Sequence, residues 1–536
     1  MLIRTMSFRA MAGLLGAAIA TGAIVAAGPQ QSSAASSTDL SQYYNQPADW
    51  APCLPGQGED PDEWKQMECA DLVVPMNYRR PSDGNLAIAV SRIRAKSPAK
   101  RQGILMINPG GPGGDGLDWP LRLKDRAAAT GFDLIGFDPR GVGRSTSLQC
   151  ESPDGERVEL SRPTDAQFAA IEAQARADEE RCRRTAGGIR KFVNTPNTAR
   201  DMDVIRAVLG EQRINYYGIS YGTYLGAVYG TMFPARLNRS VLDSSVNPDW
   251  VWHRQFQQQS VAATQNVHIW AQWVAARNKR YGFGTTEAKV IARVETISRR
   301  VRTRPVDVPD DQGGSQTFDQ TGWDQLLGSA NDVQHWDVLA DLAVKVKAAT
   351  QSKPTALSKD AGRALYVVLD RVKDTEDGVF PTVTCEAAWP TDLSYYERQM
   401  RLFRTKYPYG NGAMAAAPTN CTFRTFTPPE TLPTLKRSGY PVGLVVQAEL
   451  DTQTQYQGGP AMATRLGDNL ITVRDSGTHG QYGVTPCVTK KVDDYLLKGV
   501  LPGSRVTCTG RRPAVPDDDD DAPVAPQTLT LEQRAR

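Results

Sequence analysis

Histidine is scarce in this sequence, with only four residues among 536, and no large excess of either charge is present. Lys and Arg number 62 against 59 Asp and Glu, which gives a formal net charge of +3. This balance excludes the basic footprint of a nucleic-acid-binding protein and the polybasic patch of a membrane-bound one. Neither an internal repeat nor a C-x-x-C spacing is found, so repeat architectures and the usual cysteine metal motifs are not indicated.

The first 35 residues are predicted to be a secretory signal peptide. Arg4 and Arg9 supply a positive start, residues 10–27 form an apolar run, and Ser33-Ala34-Ala35 is a small-residue cleavage site. A retained membrane anchor is the alternative, although alanine and glycine make a weak spanning segment. No cysteine lies near the cleavage site, so a lipoprotein anchor is not indicated. We therefore expect secretion, cleavage near Ala35 and no stable membrane association.

The even number of cysteines, eight, fits this exported context. They fall into four couples of sequence neighbours, and we predict that each couple forms a disulfide: Cys53/Cys69, Cys150/Cys182, Cys385/Cys421 and Cys487/Cys508. Closing loops of this length contributes roughly 3 kcal/mol each to stability.

The stretch Gly218-Ile219-Ser220-Tyr221-Gly222 has the form of a G-x-S-x-G motif. β-prone residues precede it from Ile214, and a helical run follows it to Phe233. Strand, sharp turn and helix are the context of a nucleophile elbow, whose glycines let neighbouring backbone pass without a Cβ clash. We predict that Ser220 is a nucleophile; a coincidental Gly/Ser turn is the alternative.

A serine hydroxyl needs a general base, which a third group holds in place. With a nucleophile elbow the chain order is serine, acid, histidine, so the base comes late, and His479 is the last histidine. His253, His268 and His335 lie beside tryptophans in helical stretches, where a packed or surface role is expected.

The acid is expected after a buried strand. Residues 442–447 form a continuous apolar run of that type, and both Glu449 and Asp451 follow it. Either carboxylate could hold the histidine and stabilise its imidazolium form.

The glycine-rich segment Asn108–Gly114 follows another buried strand and predicts an oxyanion hole. A phosphate-binding loop is the alternative, but the Gly-Lys-Ser/Thr ending is missing and Asp115 would repel phosphate. Prolines also interrupt any dinucleotide fingerprint. The expected donors are the backbone N–H groups of Gly111 and of Tyr221, the residue after the nucleophile.

These segments resemble the secreted tripeptidyl aminopeptidases of Streptomyces, in the proline-iminopeptidase-like group of α/β-hydrolase serine peptidases. The likeness extends over residues 50–508 and is strongest in residues 197–210 and 217–230. It implies an α/β-hydrolase fold with a largely helical cap inserted in the core, and no metal or organic cofactor. Residue by residue, it implies Ser220 as nucleophile, Asp451 as acid and His479 as base.

A cap also fits the spacing, because 231 positions separate Ser220 from Asp451, far more than two βα units need. We expect core strands at residues 71–75, 86–93, 103–107, 133–137, 214–218, 240–243, 442–447 and 470–473. The predicted order is a signal peptide (1–35), a first part of the hydrolase core (36–247), a helical cap (248–436), a second part of the core (437–510) and a disordered acidic tail (511–536).

The expected function is that of a secreted serine exopeptidase. It would release short peptides, tripeptides by the resemblance, from the free N-termini of peptides or proteins through an acyl-enzyme on Ser220. An esterase or lipase on the same scaffold is the first alternative, because the catalytic groups are common to both. A non-catalytic exported binding protein is the second, and the complete Ser/Asp/His set argues against it.

An enzyme that counts three residues from a free N-terminus must bind the α-ammonium about 10 Å from the nucleophile, since extended peptide spans about 3.3–3.6 Å per residue. A carboxylate shielded from solvent is the natural partner. Glu386, beside Cys385 and Trp389 in the predicted cap, is the candidate; a surface glutamate without this role is the alternative.

Overall fold

A computed structural model of the chain describes residues 39–56, 60–151, 158–309, 315–351, 357, 360–362, 365 and 378–510. The predicted signal peptide and the predicted acidic tail lie outside the described residues. All the described helices and strands belong to one compact unit that begins at Leu40.

Within the described residues the strands form one large sheet and one small one. The strands are β1 (Ala51–Pro52), β2 (Glu68–Pro75), β3 (Asn85–Ile93), β4 (Ile104–Asn108), β5 (Asp133–Phe137), β6 (Ile214–Ser220), β7 (Leu237–Ser245), β8 (Val306–Pro309), β9 (Ser315–Phe318), β10 (Leu444–Ala448), β11 (Asn469–Arg474) and β12 (Arg505–Thr509). All eight predicted core strands are present, with ends that differ by up to three residues.

The large sheet has the order β1-β2-β3-β5-β4-β6-β7-β10-β11-β12. The pairs from β1 to β5 along this order are antiparallel, and the pairs from β5 to β12 are parallel. Parallel strands with covered faces need continuous apolar sequences. Accordingly, every residue of β4, β5 and β10 is buried. The parallel arrangement brings the carboxyl ends of β4, β6, β7, β10 and β11 to one edge of the sheet.

The α-helices of the described residues are α1 (Ser41–Tyr44), α2 (Pro61–Trp64), α3 (Trp119–Leu123), α4 (Phe168–Thr185), α5 (Thr195–Val208), α6 (Tyr221–Met232), α7 (His253–Ala276), α8 (Asn278–Tyr281), α9 (Glu287–Thr303), α10 (Gln320–Gly328), α11 (Trp336–Ala349), α12 (Phe380–Val383), α13 (Leu393–Lys406), α14 (Gly458–Leu466) and α15 (Pro486–Lys498). The described residues also contain short 3₁₀ turns, among them Thr384–Glu386, Gly412–Ala416 and Asn420–Phe423.

Helix α5 shows how local sequence sets an element that supports the site. The side chain of Asn194 accepts the N–H of Asn197 at 3.0 Å and caps the first turn, where Pro196 fits because it has no N–H to satisfy. The helix ends before Gly210, whose φ of +72° is left-handed. Its buried face packs on α6, the helix that follows Ser220.

The segment between β7 and β10 has a hydrophobic core of its own, distinct from those along the large sheet. Helices α7, α9, α10 and α11 contribute most of its buried side chains, among them Trp270, Trp273, Trp323 and Trp336. The small antiparallel sheet of β8 and β9 adds Val308 and Phe318 to this core. The segment is therefore mainly helical, and the small sheet was not predicted.

The eight cysteines form four disulfides, and the bonded pairs are the four sequence-neighbour couples: Cys53–Cys69, Cys150–Cys182, Cys385–Cys421 and Cys487–Cys508. Of the helices in the described residues, none combines the length and the apolar character that a bilayer crossing requires.

Candidate active site

Ser220 is the last residue of β6, and α6 begins at the next residue. Its φ of 58° and ψ of −127° lie outside the usual regions for an L-residue, as expected for a nucleophile elbow. A Cβ on Gly222 would lie 2.5 Å from the carbonyl oxygen of Asn108, and one on Gly218 would overlap the carbonyl of Gly222. Both motif glycines are thus required by the close passage of backbone around the serine.

His479 and Asp451 are joined by a hydrogen bond of 2.9 Å between Nδ1 and Oδ2. The Asp451 carboxylate is buried and also accepts the N–H groups of Gln453 and Thr454, at 2.9 and 3.1 Å. The Thr454 hydroxyl donates to Oδ2 at 2.9 Å. Of the two carboxylates that follow the strand, Asp451 and not Glu449 is the one bonded to the histidine.

The electrostatics of the pair favour a charged imidazole. Burial disfavours the imidazolium form, but the Asp451 carboxylate outweighs this effect through its charge and its hydrogen bond, and Asp243 adds a further negative charge. The pKa of His479 is therefore raised above its usual value of about 6.5. Such a histidine is suited to accept a proton and to hold it.

The helical segment after β7 holds both loops of this pair in place. Gln255, in α7, donates from its Nε2 to the Gln455 side chain at 2.8 Å, and Asn266, also in α7, donates to the Leu450 carbonyl at 2.7 Å. The Asn331 side chain donates to the carbonyl of Gly477 at 3.0 Å. The acid loop and the histidine loop are thus tied to the same segment.

The histidine loop lies against the strand that carries the serine. A Cβ on Gly480 would be 3.7 Å from the Ile219 side chain, and the Gly480 N–H donates to the Ser244 hydroxyl at 2.8 Å. In the described part of the chain, the Ser220 hydroxyl and His479 are not joined by a hydrogen bond. The structure thus brings all three predicted residues to the same edge of the sheet and bonds two of them.

The glycine-rich loop after β4 packs directly on the elbow. A Cβ on Gly110, whose φ is +99°, would lie 2.9 Å from the backbone nitrogen of Tyr221. The Asn108 side chain accepts the Gly110 N–H at 3.1 Å, which fixes the start of the loop. Gly111 and Tyr221, the expected oxyanion donors, both line the cavity that contains Ser220.

This cavity has a volume of about 530 Å³, within the range typical of small-molecule sites. Its reactive side is formed by Ser220 and the glycine-rich loop. Much of the remaining lining comes from the segment between β7 and β10. It is partly aromatic and apolar, partly amide: Trp252, Phe256, Phe380, Trp389, Met414, Gln255, Gln259, Asn411 and Asn420. Such walls can bind apolar side chains and hydrogen-bond an extended peptide backbone.

Glu386 is buried one layer behind the cavity wall. Its Oε2 accepts the N–H of Thr195 at 2.7 Å, and its Oε1 accepts the Thr195 hydroxyl at 2.6 Å and the indole N–H of Trp252 at 3.2 Å. The Thr195 hydroxyl also lies 2.8 Å from the hydroxyl of Tyr221. Burial raises the pKa of Glu386 to about 7 in spite of these hydrogen bonds. The carboxylate is therefore neither a surface group nor part of the cavity lining.

The other three histidines lie apart from this pair. His268 is 2.7 Å from Glu287 and His335 is 2.8 Å from Asp332. His253 packs among aromatic rings, where burial lowers its pKa to about 4. Across the described ranges, no group of three or more His, Cys, Asp or Glu side chains is arranged to hold a metal ion.

Sequence reasoning missed two hydroxyl groups of the site. Thr454 bonds Asp451 from three residues further along the chain, an Asx-type turn that the local sequence could have indicated. Thr195 bonds Glu386 across 191 positions, and no local pattern indicates such a contact.

Comparison with known proteins gives matches along most of the chain. The model of a family described as "alpha/beta hydrolase fold" matches residues 103–339, and that of a family described as "TAP-like protein" matches residues 407–508. The chain is 35% identical over 480 residues to "Tripeptidyl aminopeptidase" of Streptomyces lividans, with 86% of each protein covered. It is 28% identical over 492 residues to "Serine protease Hip1" of Mycobacterium tuberculosis, covering 86% of this chain and 91% of that protein. "Carboxylesterase B" of Mycobacterium tuberculosis is 28% identical over 475 residues, with 84% and 88% covered.

Proposed function

Because the chain belongs to the tripeptidyl aminopeptidase family of α/β-hydrolases, we propose that it is a secreted serine exopeptidase that releases tripeptides from the free N-termini of peptides and proteins. The observation that carries the proposal is Ser220 on a strained turn, in one cavity with the glycine-rich loop, together with the bonded Asp451–His479 pair at the same end of the parallel strands.

The proposed reaction is acyl transfer in two steps. His479 takes the proton of Ser220 as its oxygen attacks the carbonyl carbon of the third residue, and Asp451 holds the imidazole and stabilises its charge. The protonated histidine then gives its proton to the leaving amine, which leaves an acyl-enzyme on Ser220. Water, activated by the same histidine, releases the tripeptide.

The developing oxyanion would be bound by the N–H groups of Gly111 and Tyr221. Both residues line the cavity beside Ser220, which supports this role. Preorganised donors of this kind are typically worth about 3 kcal/mol each in the transition state. The chemistry uses these protein groups alone.

For the substrate amine we propose Glu386. Its carboxylate is next to Trp252 and Thr195, and through Thr195 it is connected to Tyr221, which follows the nucleophile. A charge one layer behind the wall, in a poorly solvated setting, attracts an ammonium group in the cavity more strongly than an exposed one would.

Replacement of Glu386 tests that role. Since its pKa is about 7, the carboxylate gains its charge as the pH rises from 6 to 8. The KM of a free-amine tripeptidyl substrate should therefore fall from pH 6 to about 7.4, and rise at higher pH as the substrate amine, with a pKa of about 7.7–8.0, loses its proton. Glu386→Gln should raise this KM and abolish its fall. A small neutral ester is the matched control, and equal losses on both substrates would remove Glu386 from the amine site.

We also propose that the mature protein is exported and begins near residue 36. Four disulfides are typical of oxidising compartments and support this proposal. Expression of the whole chain in a bacterium with an intact secretory pathway tests it by the N-terminal sequence of the protein in the medium. Recovery of uncleaved protein in the membrane fraction would contradict it.

An esterase is the second candidate, favoured by the similarity to a relative named carboxylesterase B. A panel of mono-, di- and tripeptidyl p-nitroanilides, each with a free and an acetylated N-terminus, together with a p-nitrophenyl ester, separates the two. If the protein is an exopeptidase, the tripeptidyl amide with a free N-terminus should have the highest kcat/KM of the amides. Its kcat/KM should exceed that of its acetylated form by at least about 100-fold, since the α-ammonium anchors the substrate at a fixed distance. Similar rates with blocked amides, or turnover of the ester alone, would favour the alternatives.

A further inference from the structure

Two side chains at the end of β7 accept hydrogen bonds from the backbone N–H groups that follow His479. The N–H groups of Gln481 and Tyr482 both donate to Oδ2 of Asp243 at 2.8 Å. The preceding N–H, that of Gly480, donates to the Ser244 hydroxyl at 2.8 Å. Three successive donors of the histidine loop are thus bound by two adjacent residues.

Asp243 is fully buried, and in the described part of the chain it forms no ion pair with Lys or Arg. Its Oδ2 accepts a third hydrogen bond, from the hydroxyl of Tyr217 at 3.0 Å, whereas Oδ1 has no hydrogen-bond partner among the described residues. Burial of a carboxylate without a cation is costly. A neutral asparagine would hold the same two backbone N–H groups, so the loop contacts alone do not explain the charge.

The negative charge of Asp243 acts on the imidazole of His479. The charged groups that act on this ring are Asp451, from the loop after β10, and Asp243, from β7. The Thr454 hydroxyl, 3.5 Å from Nδ1 of His479, is neutral, and so is Ser244, which accepts the backbone N–H of Gly480. Two buried carboxylates therefore favour the same imidazolium ion, one through a direct hydrogen bond and one through its field.

We propose that Asp243 is a positioning residue for His479, which holds the backbone after the histidine and stabilises its charged form during proton transfer. The inference rests on the proposed function, in which His479 is the general base. It assigns a role to a buried charge that the Ser220–His479–Asp451 set leaves unexplained.

Asp243→Asn tests the charge with the shape preserved, because an asparagine oxygen can still accept both loop N–H groups. The negative charge of Asp243 raises the pKa of His479, so its removal should move the acidic limb of the kcat/KM profile to lower pH. The expected shift is on the order of one pH unit, because Asp243 acts on the ring through its field and not through a direct hydrogen bond. The kcat should fall about tenfold with KM unchanged, since one pKa unit corresponds to a factor of ten.

Asp468→Asn is the matched control. Asp468 is also a buried carboxylate that accepts a backbone N–H, that of Gly443 at 2.8 Å, but it pairs with Arg437 at 3.5 Å and precedes β11, at the amino ends of the parallel strands. This variant should lower the melting temperature and leave the acidic limb where it is. An unchanged limb and kcat in Asp243→Asn would overturn the proposal and leave Asp243 a structural residue.

A second readout does not depend on the substrate. With only four histidines, an NMR titration of the imidazoles in a Ser220→Ala background can follow His479 directly. A lower pKa of His479 in Asp243→Asn supports the inference whatever the substrate is, and an unchanged pKa overturns it even if the enzyme is an exopeptidase. If Asp243→Asn does not fold, Asp243→Ser removes the same negative charge and should shift the same titration in the same direction; no shift would overturn the proposal.

Discussion

Ser220 is held in a backbone conformation that favours glycine, with φ at +58° and its side chain in the cavity. A non-glycine residue in such a region carries a strain of about 1–3 kcal/mol. Ser220→Ala keeps the strain and removes the hydroxyl, so activity should fall at least about 10⁴-fold with the melting temperature unchanged. Ser220→Gly should also be inactive but melt at a higher temperature. Calorimetry and amidase assays on both variants check this, and more than trace turnover by Ser220→Ala would exclude it as the nucleophile.

The pKa of His479 gives activity and stability opposite dependences on pH. Its raised folded pKa means that the histidine contributes stability below the unfolded value of about 6.5, and that this contribution is lost as the pH rises through the folded value. Activity needs the neutral ring. The kcat/KM should therefore fall below a midpoint higher than about 6.5, without unfolding, and recover when the pH is restored. A profile that is flat from about pH 5 to 8 would contradict a histidine base.

At the scale of single residues, the sequence predicts those that a short motif or their order in the chain identifies. Ser220 is marked by its glycines and His479 by chain order, whereas the choice between Glu449 and Asp451 needed the family resemblance. The partners of Glu386 are not local, since Thr195 and Trp252 lie 191 and 134 positions away. Only the fold brings them together.

At the scale of elements, the elbow depends on how closely β4 passes α6. The Cβ of an alanine at position 222 would meet the Asn108 carbonyl oxygen at 2.5 Å, so the helix or the glycine-rich loop must move. A displacement of about 1 Å at a reacting group costs about 100-fold in rate, which is the loss expected in kcat/KM for Gly222→Ala. Gly188→Ala is the matched control, because a Cβ there meets nothing within 4 Å. Equal activity of the two variants would show that the elbow tolerates the displacement.

The strands differ in how clearly the local sequence predicts them. Buried parallel strands such as β5 and β10 are continuous apolar runs, which makes their existence evident from sequence. Strand β12, at the sheet edge, alternates exposed residues with the half-buried Val506 and the buried Cys508 over only five positions, and β1 has two residues, so the local signal of each is short. Pairing with β11 and β2, and not local propensity, defines them.

For the whole molecule, the four disulfides close separate short stretches of a long chain, and two of them offer a controlled comparison. Cys385–Cys421 joins the 3₁₀ turns whose members Thr384 and Asn420 line the cavity. Cys53–Cys69 joins β1 to β2 at the far edge of the sheet, and neither strand contributes to the lining. Cys53, Cys385 and Cys421 are buried and Cys69 is half-buried, so alanine pairs remove the crosslinks with little change of surface.

Both double variants, Cys385→Ala with Cys421→Ala and Cys53→Ala with Cys69→Ala, should lower the melting temperature. The loops span 36 and 16 residues, so loop-closure entropy makes the first loss larger by about 0.7 kcal/mol, on losses of about 3 kcal/mol each. Only the first variant should also lose kcat/KM on the tripeptidyl amide, because the turn that carries Thr384 and Glu386 is no longer covalently joined to the turn that carries Asn420. Thermal unfolding and steady-state kinetics on the purified variants measure both effects. If removal of Cys385–Cys421 destabilised the protein but left the kinetics intact, the cavity wall would be held by its packing and hydrogen bonds alone, and the amine site would have to be independent of this crosslink.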